Sequence, residues 1–226
     1  MNHLLNNPVW TALNTGNSNL GEGNDKAKHF FPDISLFVGL EENRRENYEA
    51  LLDIIPHDHT IAAFAIEKNV DPAPWTLVHR VECLQMIFEG PTPKSEDNPD
   101  IVKLNTEHIP AMLALTKLAP PGPFLQRTIE FGGYEGIFSG DELIAMGGQR
   151  LHCGPFVEIS AICTHPNHNG KGYARQIINS QIRRLLAEDN IPYLHVRADN
   201  ARAINIYSSM GFVKRTEVTI SILKKP

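Results

Sequence analysis

The residues best spaced for chemistry lie in the stretch 157–178, VEISAICTHPNHNGKGYARQII. A β-compatible, mostly apolar segment at 158–163 gives way to a polar turn with Pro166 and then to a helical pattern, with Ala174, Ile177, Ile178, Ile182 and Leu185 at helical spacing. Gly170 and Gly172 stand where the turn becomes the helix. Glycine accepts positive φ and lets the backbone approach a ligand closely. A helix start also presents unpaired N–H groups at the positive end of its dipole. The N–H groups of Gly170, Lys171, Gly172, Tyr173 and Ala174 can thus converge on a phosphate or diphosphate, and Lys171 or Arg175 can pair with a further phosphate.

Cys163, His165 and His168 occupy the same turn, with His152 and Cys153 upstream. These are zinc-ligand residue types, but no fourth ligand is evident and they sit inside the approach to the anion site, so no metal is expected. A proton-shuttling histidine is the other use open to this pair.

Elements able to position the turn can be read on both sides of it. Residues 7–13 predict a short helix with Asn7 as cap and Pro8 in its first turn, followed by a polar loop over 14–28. A strand at 34–40, a helix at 42–55, a strand at 60–66 and two further strands at 77–81 and 83–88 make an α/β unit. The run GPTPKSEDNP at 90–99 is a composition break and reads either as a linker between domains 1–95 and 96–226 or as a long surface loop.

Beyond it come a helix at 106–118, a stop at APPGP, a short helix at 124–131, and a hairpin of strands 134–138 and 142–151 through Ser139, Gly140 and Asp141. Gly147 and Gly148 mark a bulge or a close backbone approach. A strand at 193–197, a helix at 201–210 closed by Gly211 and a strand at 212–223 complete an α/β fold with a mixed sheet.

Composition narrows the function classes. The chain has 226 residues, 42% hydrophobic and 21% charged, which is globular and long enough for a proper core. A formal net charge of -5 lacks the basic footprint of a nonspecific nucleic-acid binder. Three cysteines are too few for a disulfide framework and suit a reducing compartment. No stretch approaches the roughly 20 apolar residues of a membrane span, and no leader is legible. A cytoplasmic protein without membrane or nucleic-acid partners is expected.

Two segments together resemble the GCN5-related N-acetyltransferases (GNAT). Asn169 to Ala174 is similar to that family's acyl-CoA turn, Arg/Gln-x-x-Gly-x-Gly/Ala, and NARAINIYSSMGF at 200–212 is similar to its second motif; the resemblance covers about residues 101–223. It implies a mostly antiparallel GNAT-like sheet flanked by helices, preceded here by a smaller α/β domain. It further implies acetyl-CoA (coenzyme A) as cofactor and direct attack by a primary amine of a small-molecule or peptide acceptor. The strand before the turn would splay from the next one and expose Ile162, Cys163 and Thr164 to the pantetheine arm, while Asn200 and Ala203 would meet the cofactor at the following helix. Asn200 serves equally as a helix cap.

Tyr207 matches the tyrosine that protonates the departing thiolate, against a plain core role. Glu158 lies eleven residues before Asn169, where the histone-acetylating branch has its glutamate base, and burial would raise its pKa. Its other reading is an anchoring carboxylate. Asn169 departs from the family's Arg or Gln, which removes one side-chain contact and leaves the backbone cradle. Phe124, Arg127 and Tyr134, with Glu158, would line the acceptor site. The first part of the chain resembles a subgroup with a degenerate acetyltransferase-like half that lacks the glycine turn, shaping either the acceptor site or an oligomer interface such as a homodimer's. A non-catalytic acyl-CoA sensor, or a binder of another nucleotide, are the alternative functions.

Overall fold

A computed structural model of the protein describes residues 3–56, 59–94 and 100–226; residues 95–99 of the composition break, and with them the 95/96 boundary, lie outside the described residues. The strands are β1 (Gly21–Gly23), β2 (Ala27–Phe30), β3 (Phe37–Leu40), β4 (Thr60–Ala65), β5 (Thr76–Phe88), β6 (Ile101–Lys103), β7 (Glu135–Ser139), β8 (Glu142–Cys153), β9 (Phe156–Thr164), β10 (Ile191–Arg197) and β11 (Phe212–Lys224). The helices are α1 (Pro8–Asn14), α2 (Arg45–Ile54), α3 (Ile109–Leu118), α4 (Tyr173–Ala187) and α5 (Ala201–Ser209).

All of these strands join one sheet in the order β1-β2-β3-β4-β11-β5-β10-β9-β8-β7-β6. Pairing is antiparallel except at β3/β4 and β9/β10. A parallel neighbour requires a crossover, and α2 and α4 supply the two crossovers. The order contains a palindrome. Strands β1 to β5 run inward from one side and β7 to β11 run inward from the other, each with a three-strand antiparallel run, a parallel crossover and a final strand. The two final strands are exchanged: β5 pairs with β10, β11 pairs with β4, and they pair with each other from Phe212↔Phe88 to Lys224↔Thr76. The sequence break at 90–99 therefore parts two stretches of chain that share one continuous sheet.

The two faces of that sheet bury different groups. Met86, Phe88, Val157, Ile159, Leu194, Val196 and Phe212 pack under Ile178, Ile182 and Leu185 of α4. Each such fully buried aliphatic or aromatic side chain contributes about 1.5–3 kcal/mol through burial. On the other face Phe30, Phe37, Phe64, Leu151, Cys153, Tyr193 and Val218 meet Val9, Ala12 and Leu13 of α1. Alternation along β9 puts Val157 and Ile159 on the helix-covered face and Glu158 on the opposite one.

Several elements differ from the sequence reading. The segment 14–28, expected as loop, carries β1 and the start of β2, strands of three and four residues that are too short to show alternation. The two strands expected at 77–81 and 83–88 are one strand, because Glu82 stays in the ladder opposite Thr219 and accepts its hydroxyl at 3.0 Å. Only Thr128–Phe131 of the expected helix at 124–131 is helical, as a 3-10 turn. Asn7 precedes α1 without capping it, since its amide donates instead to the Leu40 carbonyl at 2.6 Å. The glycine pair in β8 marks both features expected of it. The β8/β9 register shifts there, and a Cβ would lie 2.3 Å from Ile162 Cδ1 at Gly147 and 2.5 Å from the Tyr134 ring at Gly148. Cys83, Cys153 and Cys163 are all buried free thiols. Among the described residues no helix is long and apolar enough to cross a membrane.

Candidate active site

The parallel pairing of β9 with β10 covers Phe156/Ile191, Val157/Pro192 and Glu158/Tyr193 and then ends. Beyond that point β9 stays with β8 and β10 stays with β5, so residues 159–164 and 194–197 face each other across an opening. Ala161 is at φ +57 opposite the β8 register shift, which makes the β9 edge bulge at this opening.

The glycine turn sits where β9 leads into α4. Gly170 has φ +78 and Gly172, the residue before α4, has φ +84, while a Cβ at either would meet nothing within 4 Å. The backbone conformation rather than crowding selects glycine here. Among the described residues the N–H groups of 170–175 have no backbone partner; the first one bonded in the helix is that of Gln176, to the Gly172 carbonyl. Thr164 Oγ1 and His168 Nδ1, on the approach to the turn, are buried without a partner. A row of free N–H groups, space above two glycines and two open polar atoms fit a diphosphate and the amide-bearing arm behind it. Lys171 and Asn169 are exposed beside it, whereas Arg175 donates to Ser209 Oγ at 2.7 Å and ties α4 to α5.

Glu158, at the point where the strands part, is fully buried and its two oxygens are both engaged. Arg150 reaches them from β8 with Nη2 at 2.5 Å and Nε at 2.8 Å, and His195 Nδ1 lies 2.8 Å from Oε1. Arg215 Nε donates to Gln85 Oε1, so the Gln85 amide nitrogen is the donor towards the Leu5 carbonyl and His195 Nε2, each at 3.0 Å. That order leaves Nδ1–H of His195 to donate to Glu158, an assignment made from the network. Burial pushes the Glu158 carboxyl pKa up, but the Arg150 charge, then His195 and their hydrogen bonds, outweigh it and hold it well below the usual carboxylate range. The raised pKa expected from the sequence is thus corrected. A buried carboxylate that accepts three hydrogen bonds and is held ionised is suited to anchoring, and its lowered basicity disfavours taking a proton from an amine.

The whole chain aligns with a solved structure from Novosphingobium aromaticivorans DSM 12444, assigned to the GNAT family of acetyltransferases, at 31% identity and TM-score 0.92 with 100% of both chains covered. The chain belongs to the GNAT family. Its class of chemistry is acyl transfer. The family model described as FR47-like protein matches residues 134–220, which include the splay, the glycine turn and α5. A GCN5-related N-acetyltransferase from Kribbella flavida shares the fold at 14% identity, TM-score 0.62, with 96% of this chain and 95% of that one covered. A spermidine N(1)-acetyltransferase from Vibrio cholerae serotype O1 is 39% identical over 51 residues, 22% of this chain and only 30% of the relative's length.

The other GNAT positions are arranged as follows. Asn200 caps α5, its Oδ1 accepting from the Ala203 N–H at 3.1 Å. Ala203 and Tyr207 pack on the cluster beneath α4 and α5, with the Tyr207 ring 5.9 Å from that of Phe212. Burial pushes the Tyr207 phenol up to about 12, which keeps it protonated. Ile162 is half-buried; burial also pushes the Cys163 thiol up to about 12. Phe124 and Tyr134 are brought together edge to face at 5.7 Å and pack with Ala161 and Cys163 at the β9 bulge.

Arg127 is not part of that wall. Its guanidinium bonds Asp33 at 3.2 Å and Glu130 at 2.5 Å and 2.8 Å, clamping the β2–β3 connection to the chain before β7. His165 Nδ1 accepts the Asn167 N–H at 3.2 Å, and among the described residues no three His, Cys, Asp or Glu side chains converge to hold a metal. Arg150, Gln85 and His195 were not singled out from the sequence. The available signal was a polar residue at an inward-facing position of an apolar strand.

Proposed function

We propose that this protein is an acetyl-CoA-dependent N-acetyltransferase that acylates a primary amine by direct attack. The observation that carries the reading is the opening between β9 and β10 beside a turn whose successive N–H groups are free. Residues 170–175 would hold the diphosphate, and the unpaired edge of β9 at 162–164 would hydrogen-bond the pantetheine arm. When bound, acetyl-CoA supplies the activated acyl thioester. Tyr207 donates its phenolic proton to the departing sulfur and regains one from solvent, a role suited to a group that burial keeps protonated. Phe124 and Tyr134 form the aromatic wall for the amine on the Glu158-bearing side. The amine's own proton leaves to water in the cleft, because Arg150 and His195 hold Glu158 ionised and make it a weak base.

The partial likeness to a spermidine acetyltransferase and the acidic net charge of -5 support a cationic amine as acceptor. The test is calorimetric titration with acetyl-CoA followed by a free-thiol assay over a panel of polyamines, amino acids and peptides, with spermidine first. Amine-dependent thiol release is expected. Absence of acetyl-CoA binding overturns the proposal, and binding without thiol release for any amine would make the protein a sensor.

A further inference from the structure

Residues 132–134, just before β7, are pinned on three successive carbonyls by three different elements. The Gly132 carbonyl accepts from Gln149 N of β8 at 3.1 Å, and the Tyr134 carbonyl accepts from Leu104 N at 2.9 Å. Between them the Gly133 carbonyl accepts from two α4 side chains, Gln181 Nε2 at 2.8 Å and Arg184 Nη2 at 2.6 Å. The clamp is itself tied down: Arg184 donates to Gln181 Oε1 at 2.7 Å and to Glu135 at 3.1 Å, and Gln181 reaches Glu135 at 2.9 Å. Gly132 and Gly133 adopt φ +92 and +67, and a Cβ at Gly133 would lie 2.7 Å from Arg184 Nη2, so the absence of a side chain at 133 lets the clamp close on the backbone.

What this bracing holds still is the Tyr134 side chain. Its ring lies on Gly148 and against Phe124, the residue is 3% exposed, and among the described residues its hydroxyl has no hydrogen-bond partner. The Thr164 hydroxyl is buried without a partner, whereas the Tyr134 oxygen keeps contact with solvent, so a ligand can reach it there. The hydroxyl belongs to the side of the sheet that carries Arg150 and Glu158, next to the β9 bulge.

We propose that the Tyr134 hydroxyl hydrogen-bonds the acceptor amine, and that Gln181 and Arg184 are positioning residues that aim it by clamping the Gly133 carbonyl. This rests on the acyltransferase reading above. Burial raises the Tyr134 phenol, so it stays neutral and works by hydrogen bonding: its oxygen accepts an amine N–H and orients the nitrogen lone pair towards the thioester. The paired rings of Phe124 and Tyr134 also offer a π face to an amine arriving as ammonium. Helix α4 then serves both partners of the reaction, the cofactor at its first turn and the acceptor through Gln181 and Arg184.

The experiment is steady-state kinetics with spermidine, or the panel amine turned over fastest, beside calorimetric acetyl-CoA binding. Tyr134→Phe keeps the ring packing and is expected to raise the amine KM about threefold to tenfold, the value of one net hydrogen bond, with acetyl-CoA affinity unchanged. Arg184→Met should reproduce that rise, and Arg184→Lys, which retains a donor, should reverse part of it. Lowered melting temperature with an unchanged amine KM would make the clamp purely structural and overturn the proposal, as would an unchanged KM in Tyr134→Phe. Failure of the wild type to release thiol with any amine would instead overturn the acyltransferase reading on which it rests.

Discussion

Replacing Glu158 by glutamine removes the counter-ion of Arg150 while leaving an oxygen for His195. The carboxylate is fully buried and forms a two-point pair with the guanidinium at 2.5 Å and 2.8 Å. Deleting one partner of a buried pair costs about 3–5 kcal/mol, because the other charge is left uncompensated. The Arg150 side chain keeps 17% of its surface in solvent, which places the expected loss near the lower end, about 3 kcal/mol. For a chain of this length that is a fall in melting temperature of about 6–12 °C.

Urea unfolding of Glu158→Gln, Arg150→Met and the double variant measures the loss, and the double variant should be more stable than Glu158→Gln alone because no unpaired charge remains. The sign with pH follows from the lowered folded pKa. The stabilisation is fully present above the ordinary glutamate value of 4.5 and is lost as pH falls below it towards the folded value, so wild type and Glu158→Gln should converge in acid. Turnover should tell the same story. An anchoring carboxylate leaves the pH profile of the folded variant in place, whereas loss of a general base costs about 10²–10⁴ in rate. A loss under about 1 kcal/mol, or a double variant no more stable than Glu158→Gln, would refute the reasoning.

Gly172→Asp is expected to abolish acetyl-CoA binding in calorimetry, since it puts a carboxylate among free N–H groups and a side chain at φ +84; normal binding by the folded variant would remove the cradle. Tyr207→Phe should lower kcat with acetyl-CoA affinity nearly intact, read by thiol release and calorimetry, and an unchanged kcat would exclude Tyr207 as the acid. Asn200→Ala should cost about 0.5–2 kcal/mol in urea unfolding through loss of the α5 cap, and a larger effect on acetyl-CoA affinity than on stability would reassign Asn200 to the cofactor. A fragment starting at residue 96 lacks β5 from between β10 and β11 and is expected to show no cooperative unfolding, checked by circular dichroism.

The sequence by itself determined what depends on local chemistry. The order strand, glycine turn, helix at 157–178 was readable because apolar spacing and positive-φ glycines act over a few residues, and Gly170 and Gly172 sit where that reading put them. The second motif was readable for the same reason, and its helix α5 ends within a residue of where Gly211 predicted. Tertiary structure decided everything that depends on which strand lies beside which. The exchange of β5 and β11 pairs residues far apart in the chain, and no local pattern in LVHRVECLQMIF says that its partners are 191–197 and 212–224. The state of Glu158 was decided the same way. Its burial was foreseeable from its apolar neighbours, but its pKa direction depends on Arg150 from β8 and His195 from β10, and a guanidinium charge with three hydrogen bonds outweighs the desolvation that the sequence alone could show. The partners of Arg127 were hidden for a like reason: Asp33, ninety-four positions away, shares its guanidinium with Glu130.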